Sequence, residues 1–149
     1  MSTIRLQQPT TATPEQFVAG LTDFGPGREE LFPNSSDAGL VVHDRGDTFA
    51  DVTEGKGGVW ERLHYDWSDL SHVVLTTVES NVWGGASGHT YTFTRQADGT
   101  TIVHAEVVRD GKNPKGKLIG FVLGLFAKQT LGAALATTVK AIEARHAVK

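Results

Sequence analysis

Cysteine is absent from the 149 residues, which excludes disulfide scaffolds, thiolate zinc sites and cysteine nucleophiles. The start, Met1-Ser2-Thr3-Ile4-Arg5-Leu6, has no basic stretch leading into an apolar run, so no secretory signal is expected and a cytoplasmic location is. A strong charge of one sign is also missing: 14 basic against 17 acidic residues leave −3. No aromatic residues interleave with the lysines as a base-stacking surface requires, so nucleic acid is not an expected partner. What is present suffices for a core, since 39% of residues are apolar and 21% charged, and one globular domain over residues 1–149 is expected.

The charges are unevenly spread. Residues 1–111 carry 7 basic and 16 acidic side chains, or −9, whereas residues 112–149 carry 7 basic and one acidic, Glu143, or +6. A basic helix lying on an acidic sheet accounts for this split more simply than a nucleic-acid or anionic-membrane patch.

Along the chain, Ser2 to Gln8 alternates as a half-buried strand that Pro9 should end. Thr13-Pro14-Glu15-Gln16 supplies an N-cap, a proline at the first helical position and an acidic first turn, followed by Phe17, Val18, Leu21 and Phe24 at helical spacing. About three turns of helix are expected there. Gly25-Pro26-Gly27 breaks the pattern, Arg28 to Phe32 forms a second short helix, and Pro33-Asn34-Ser35-Ser36 is loop. Six strands follow: Leu40–Asp44, Thr48–Thr53, Val59–Asp66, Ser71–Ser80, His89–Arg95 and Thr101–Arg109. With short links they read as an antiparallel meander.

The last hairpin fixes a register. A two-residue turn at Asp98-Gly99 would mix polar and apolar residues on both faces. A three-residue loop, Ala97-Asp98-Gly99, instead pairs Phe93 with Val103, Tyr91 with Ala105 and His89 with Val107. His89 and Tyr91 then face inward and His104 outward.

After Gly111-Lys112-Asn113-Pro114 a long helix, about Lys115 to His146, repeats Leu123, Ala127, Leu131, Leu135, Thr138 and Ile142 at helical spacing and should cover the sheet. Its first half, Leu118 to Ala127, is apolar on every side yet too short to span a membrane before Lys128. It therefore needs a second apolar neighbour: a ligand, a partner chain or an adjacent loop. Gly116, Gly120, Gly124 and Gly132 keep one edge narrow, for close approach or for packing against the short helices.

This order of strand, two short helices, six antiparallel strands and a long terminal helix resembles the SRPBCC (START-like, Bet v 1-like) superfamily over nearly the whole chain. The stretches Val59-Trp60-Glu61-Arg62-Leu63-His64-Tyr65-Asp66-Trp67, Ser80-Asn81-Val82-Trp83 and Gly88-His89-Thr90-Tyr91-Thr92-Phe93 look like its bacterial polyketide cyclase/dehydrase-like branch. The resemblance implies an α+β helix-grip fold, in which a curved seven-stranded antiparallel sheet and the last helix enclose a cavity. No single catalytic motif is shared across that superfamily, so the fold does not transfer an activity.

Six histidines raise the question of metal, but His43, His64, His72, His89, His104 and His146 show no HxH, HxxxH or HExxH spacing, and no metal site is expected. Gly55-Lys56-Gly57-Gly58 lacks the spacing of a phosphate loop and reads as a strand connection; Gly85-Ala86-Ser87-Gly88 is a loop rather than a nucleophile elbow. No cofactor is expected.

A cavity remains. Trp60, Trp83, Tyr91 and Phe93 with Phe121, Leu125 and Phe126 would line it, and Arg62, Asn81 and His89 would orient a ligand. If it is catalytic, an aldol-type cyclisation or dehydration fits, with His89 as general acid or base, Tyr91 as proton donor and Arg62 holding an enolate or carboxylate oxygen. His89 equally suits a hydrogen-bonded core position, and Trp60 and Trp83 suit plugs at the sheet ends. The facing of Arg62 is open, because Trp60, Arg62 and His64 share one face of their strand and Glu61, Leu63 and Tyr65 the other. Three readings stand: a binder of a hydrophobic, lipid- or polyketide-like small molecule, a cyclase/dehydrase-type enzyme in the same cavity, and an interaction module or homodimer seam through Leu118 to Phe126.

Overall fold

A computed structural model describes residues 2–33 and 35–147; Asn34, within the expected loop, lies outside them. Seven strands, β1 (Ser2–Thr10), β2 (Val41–Arg45), β3 (Phe49–Lys56), β4 (Val59–Asp66), β5 (His72–Ser80), β6 (Gly88–Arg95) and β7 (Thr101–Arg109), form one antiparallel sheet in the order β1-β7-β6-β5-β4-β3-β2. Helices α1 (Pro14–Leu21) and α2 (Arg28–Leu31) follow β1, and α3 (Pro114–Ala147) closes the described chain. The expected α+β helix-grip architecture is what forms.

Local chemistry sets the boundaries. Thr13 caps α1 through a reciprocal box, its Oγ1 accepting from the Gln16 amide at 3.1 Å while the Gln16 side chain accepts from the Thr13 amide at 2.9 Å. The helix is shorter than expected and stops at Leu21, where the Thr22 hydroxyl turns back onto the Val18 carbonyl at 2.8 Å. Pro9 does not end β1, which runs to Thr10 with Pro9 opposite Ile102. As an edge strand β1 has one neighbour, so a residue without an amide proton is tolerated there. Between β3 and β4 the two-residue turn Gly57-Gly58 needs left-handed backbone at both positions, φ +66° and +82°. The β6–β7 hairpin takes the expected register, Phe93 to Val103, Tyr91 to Ala105 and His89 to Val107, with Gly99 left-handed at φ +88°.

The core lies between the concave sheet face and the helices. Val52, Leu63, Tyr65, Val73, Leu75 and Val103 meet Phe17 and Leu21 of α1 and Leu135, Val139 and Ile142 of α3. Hydrogen bonds fasten this second half of α3: Thr138 Oγ1 donates to the Leu31 carbonyl at 2.6 Å, and the Glu143 carboxylate accepts from Thr10 Oγ1 at 2.8 Å. Of the expected sheet-facing positions, Leu135, Thr138 and Ile142 are buried, and Leu123 and Leu131 are half-buried; the Ala127 side chain lies outside the description.

The first half of α3 behaves differently. Gly116 meets the Val82 carbonyl so closely that a Cβ would sit 2.1 Å from its oxygen, and Gly120 packs on the Trp83 ring. The glycine edge thus faces inward and the bulky residues opposite it face outward. Leu118, Phe121, Leu125 and Phe126 are 57–66% exposed. Nothing among the described residues covers them.

Candidate functional site

A cavity of about 430 Å³ opens between the sheet and the first half of α3. Its apolar wall comes from Leu75, Trp83, Val107, Ile119, Leu123 and Leu131, with Trp60 at its rim. A smaller space of about 130 Å³ adjoins it, sharing Phe32, His89, Tyr91, Val107 and Leu131. The larger space lies in the size range of small-molecule sites.

Two buried polar clusters stand in this wall. The first joins α2 to the sheet. Arg28, 2% exposed, donates from Nε to Glu54 Oε1 at 2.9 Å, from Nη1 to the Leu21 and Asp23 carbonyls at 2.8 Å each, and from Nη2 to the Tyr65 hydroxyl at 3.1 Å. Tyr65 in turn donates to Glu54 Oε2. Burial pushes the Tyr65 phenol well above its ordinary range, and the Glu54 charge adds to that, so it stays a donor. Every polar atom here points to a protein partner, which marks the cluster as a clamp on the cavity's shape.

The second cluster is built on β4, β6 and β7. Leu63 and Tyr65 face the core, so period-two alternation puts Glu61 on the same side. A bulge between Arg62 and Leu63 gives β5 one extra residue, so that Thr77 pairs with Leu63 while Ser80 still pairs with Glu61. Arg109 grips Glu61 in a bidentate fork, Nη1 to Oε2 and Nη2 to Oε1 at 3.0 Å each, and Thr77 Oγ1 donates to Oε2 at 2.9 Å. The guanidinium lies 5.2 Å over the Trp83 ring. Burial pushes the Glu61 carboxyl up, but the charge and the two hydrogen bonds of Arg109 outweigh it and hold it below the usual carboxylate range.

His89 completes this group. Its Nε2 lies 2.9 Å from Arg109 Nη2. A guanidinium can only donate, so Nε2 accepts, and the ring proton of the neutral imidazole sits on Nδ1. That Nδ1–H has no partner among the described residues, and neither has the hydroxyl of Tyr91, two residues along on the same face. Burial raises the Tyr91 phenol to about 12, so it too is a donor at neutral pH. The cavity therefore presents two unengaged donors beside two internally neutralised ion pairs.

The other expected site residues separate. Arg62 is on the outer face, between Thr53 and Glu79 on neighbouring strands, and does not line the cavity. Arg109 takes the place in the wall that Arg62 was expected to hold, and the alternation of β7 through Val103, Ala105 and Val107 would have found it. Asn81 ties a turn, accepting from the Trp60 amide at 3.0 Å and donating to the Gly58 carbonyl at 2.8 Å. Phe93 is core, its ring 5.5 Å from that of Phe17. Phe121, Leu125 and Phe126 are outside, and Ile119 and Leu123 take their place in the wall. Trp60, Trp83, His89 and Tyr91 line the cavity.

A curved antiparallel sheet gripping a long helix over a cavity defines the START-like helix-grip fold, shared with polyketide cyclases. No protein-family model and no curated protein matches the chain. Solved structures do. The chain is similar to TTHA0849 from Thermus thermophilus, with TM-score 0.72 and 15% identity over 99% of this chain and 100% of that one. A START superfamily protein from Mycobacterium smegmatis matches with TM-score 0.66 and 13% identity, covering 96% and 95% of the two chains. The Zhui aromatase/cyclase from a Streptomyces species matches with TM-score 0.71 and 12% identity, covering 97% and 95%. At these identities the likeness establishes the fold alone. No single helix among the described residues is long and apolar enough to cross a membrane.

Proposed function

We propose that the protein binds a hydrophobic small molecule in the cavity between the sheet and α3. The observation that carries this reading is the pairing of an aromatic and aliphatic wall with two donors, His89 Nδ1–H and the Tyr91 hydroxyl, that no described residue engages. Both residues line the cavity, and an oxygen-bearing ligand held there would give these donors an acceptor. The likeness to a START superfamily protein and to an aromatase/cyclase supports the same reading.

The geometry favours binding over the cyclase/dehydrase alternative. His89 Nε2 already accepts from Arg109, and Nδ1 carries the proton, so of the two roles the alternative offers it the ring suits general acid and not general base. Glu61 is held by Arg109 and Thr77, and Glu54 by Arg28 and Tyr65, which leaves neither carboxylate poised to take a proton.

Titration with the neutral solvatochromic dye Nile red tests the proposal, comparing wild type with Leu123→Trp, which fills the cavity from α3. Saturable binding to wild type and its loss in the variant, at unchanged melting temperature, is expected. Equal binding to both would place the dye outside the cavity and overturn the reading.

A further inference from the structure

Charge accounting in the cavity wall narrows the ligand class. Arg28 is spent on Glu54, Tyr65 and two carbonyls, and Arg109 on Glu61 and His89. Lys56, at the exposed rim, donates to the Pro33 carbonyl. Lys56 keeps its charge in solvent at the mouth, so among the described residues no uncompensated cation is left in the buried wall for an anionic ligand. A carboxylate reaching Arg109 would have to share the fork with Glu61, placing two buried negative charges side by side. A neutral oxygen meets no such penalty and is offered the donors of His89 and Tyr91. We propose that the occupant is an uncharged ligand bearing a hydroxyl or carbonyl oxygen, and that Glu61 turns carboxylates away from Arg109.

This inference rests on the cavity-binding reading, and the test separates the two. Nile red is displaced by 2-naphthol and by 2-naphthoate, which share a ring system and differ in charge at neutral pH. Wild type is expected to favour the naphthol by at least about tenfold. Glu61→Gln keeps a group that can bond Thr77 and Arg109 but removes the negative charge, and should tighten naphthoate by about tenfold. If the variant does not fold, the wild-type pair still decides. Naphthoate binding as tightly as naphthol, or Nile red binding that neither compound displaces, overturns the class while leaving the cavity reading intact. Absence of Nile red binding removes both.

The outer face of α3 carries a second inference independently. Gly116, Ile119, Gly120 and Leu123 turn inward, which leaves Leu118, Phe121, Val122, Leu125 and Phe126, 47–66% exposed, on the opposite side. Lys117 borders one edge of this face and Lys115 lies one turn before Leu118, both exposed and both ahead of the sharp bend that α3 makes after Phe126. Pairing this face with the same face of a second copy would bring like charges together. An anionic lipid surface complements both features, taking the apolar side chains into its interface and the lysines among its headgroups. We infer that the first half of α3 docks on anionic bilayers, which sets the Ile119 and Leu123 wall of the cavity one helix diameter from lipid.

Co-sedimentation with vesicles of equal parts phosphatidylglycerol and phosphatidylcholine checks this against vesicles of phosphatidylcholine alone. Binding to the anionic vesicles that weakens with salt and is lost in Phe121→Ser/Leu125→Ser is expected; both side chains are exposed, so the fold is not at stake. No binding to anionic vesicles overturns it. So does a concentration-dependent dimer abolished by the same double variant, which would assign the face to a second copy.

Discussion

Arg28→Met is the sharpest test of how the cavity is held open. The side chain is 2% exposed and satisfies four acceptors at 2.8–3.1 Å: Glu54, the Leu21 and Asp23 carbonyls, and Tyr65. Methionine keeps much of the volume but leaves the Glu54 carboxylate, whose side chain is 14% exposed, without its cation, and orphans two carbonyls. Breaking a buried ion pair from one side costs about 3–5 kcal/mol, a large part of a typical stability of about 5–15 kcal/mol. For a chain of this size the melting temperature should fall by about 6–20 °C. Arg28→Lys restores the charge but not the planar fork, so it should lose about 1–3 kcal/mol. Arg28→Met/Glu54→Gln removes the stranded charge and should be more stable than Arg28→Met alone. Urea unfolding followed by tryptophan fluorescence measures all three. A loss below about 1 kcal/mol for Arg28→Met would show that the cluster is not the clamp described.

Glu61 titrates lower in the folded protein than in the unfolded chain, so its contribution is present at neutral pH and is lost as pH falls below about 5. Glu61→Gln should therefore flatten the acid limb of the stability profile, and an unchanged slope would contradict the pairing with Arg109. Tyr91→Phe should alter stability by no more than about 0.5 kcal/mol yet weaken an oxygen-bearing ligand by about 1 kcal/mol; a large stability loss would mean the hydroxyl has a protein partner after all. Both tyrosines are raised by burial, Tyr91 to about 12, so the folded protein should show no phenolate absorbance below about pH 11, and an earlier rise would place a tyrosine in water. Gly116→Ala drives a Cβ to 2.1 Å from the Val82 carbonyl and should destabilise, whereas Gly124→Ala meets only the Ser2 hydroxyl at 3.5 Å and should gain up to about 1 kcal/mol of helix propensity; thermal melts that rank them the other way would refute the inward glycine edge.

Much of the sheet was legible because alternation and turn chemistry agree. Val59–Asp66 and Thr101–Arg109 begin and end where expected, and the β6–β7 register followed from rejecting the loop that mixed polarities. Pro9 lies inside β1 and not at its end because β1 is an edge strand, which the sequence does not show. The site was less legible. Parity alone would have put Glu61 and Arg109 in the wall, but a charged residue on an inward face looks like a contradiction until its partner on another strand is known. Arg28 sits in a helix of four residues, too short to carry any periodic signal. The first half of α3 misled for a different reason. With apolar residues all round, its phase is set by where backbone can approach backbone, and the glycines at 116 and 120 decide that against Phe121 and Leu125.

Native mass spectrometry of wild type and Leu123→Trp, each incubated with a neutral hydroxylated aromatic and read beside the denatured samples, tests the central claim most directly. A single added mass on wild type, released on denaturation and missing from the variant, is the predicted result. A bare chain in both, or the same adduct on both, would contradict an internal binding cavity.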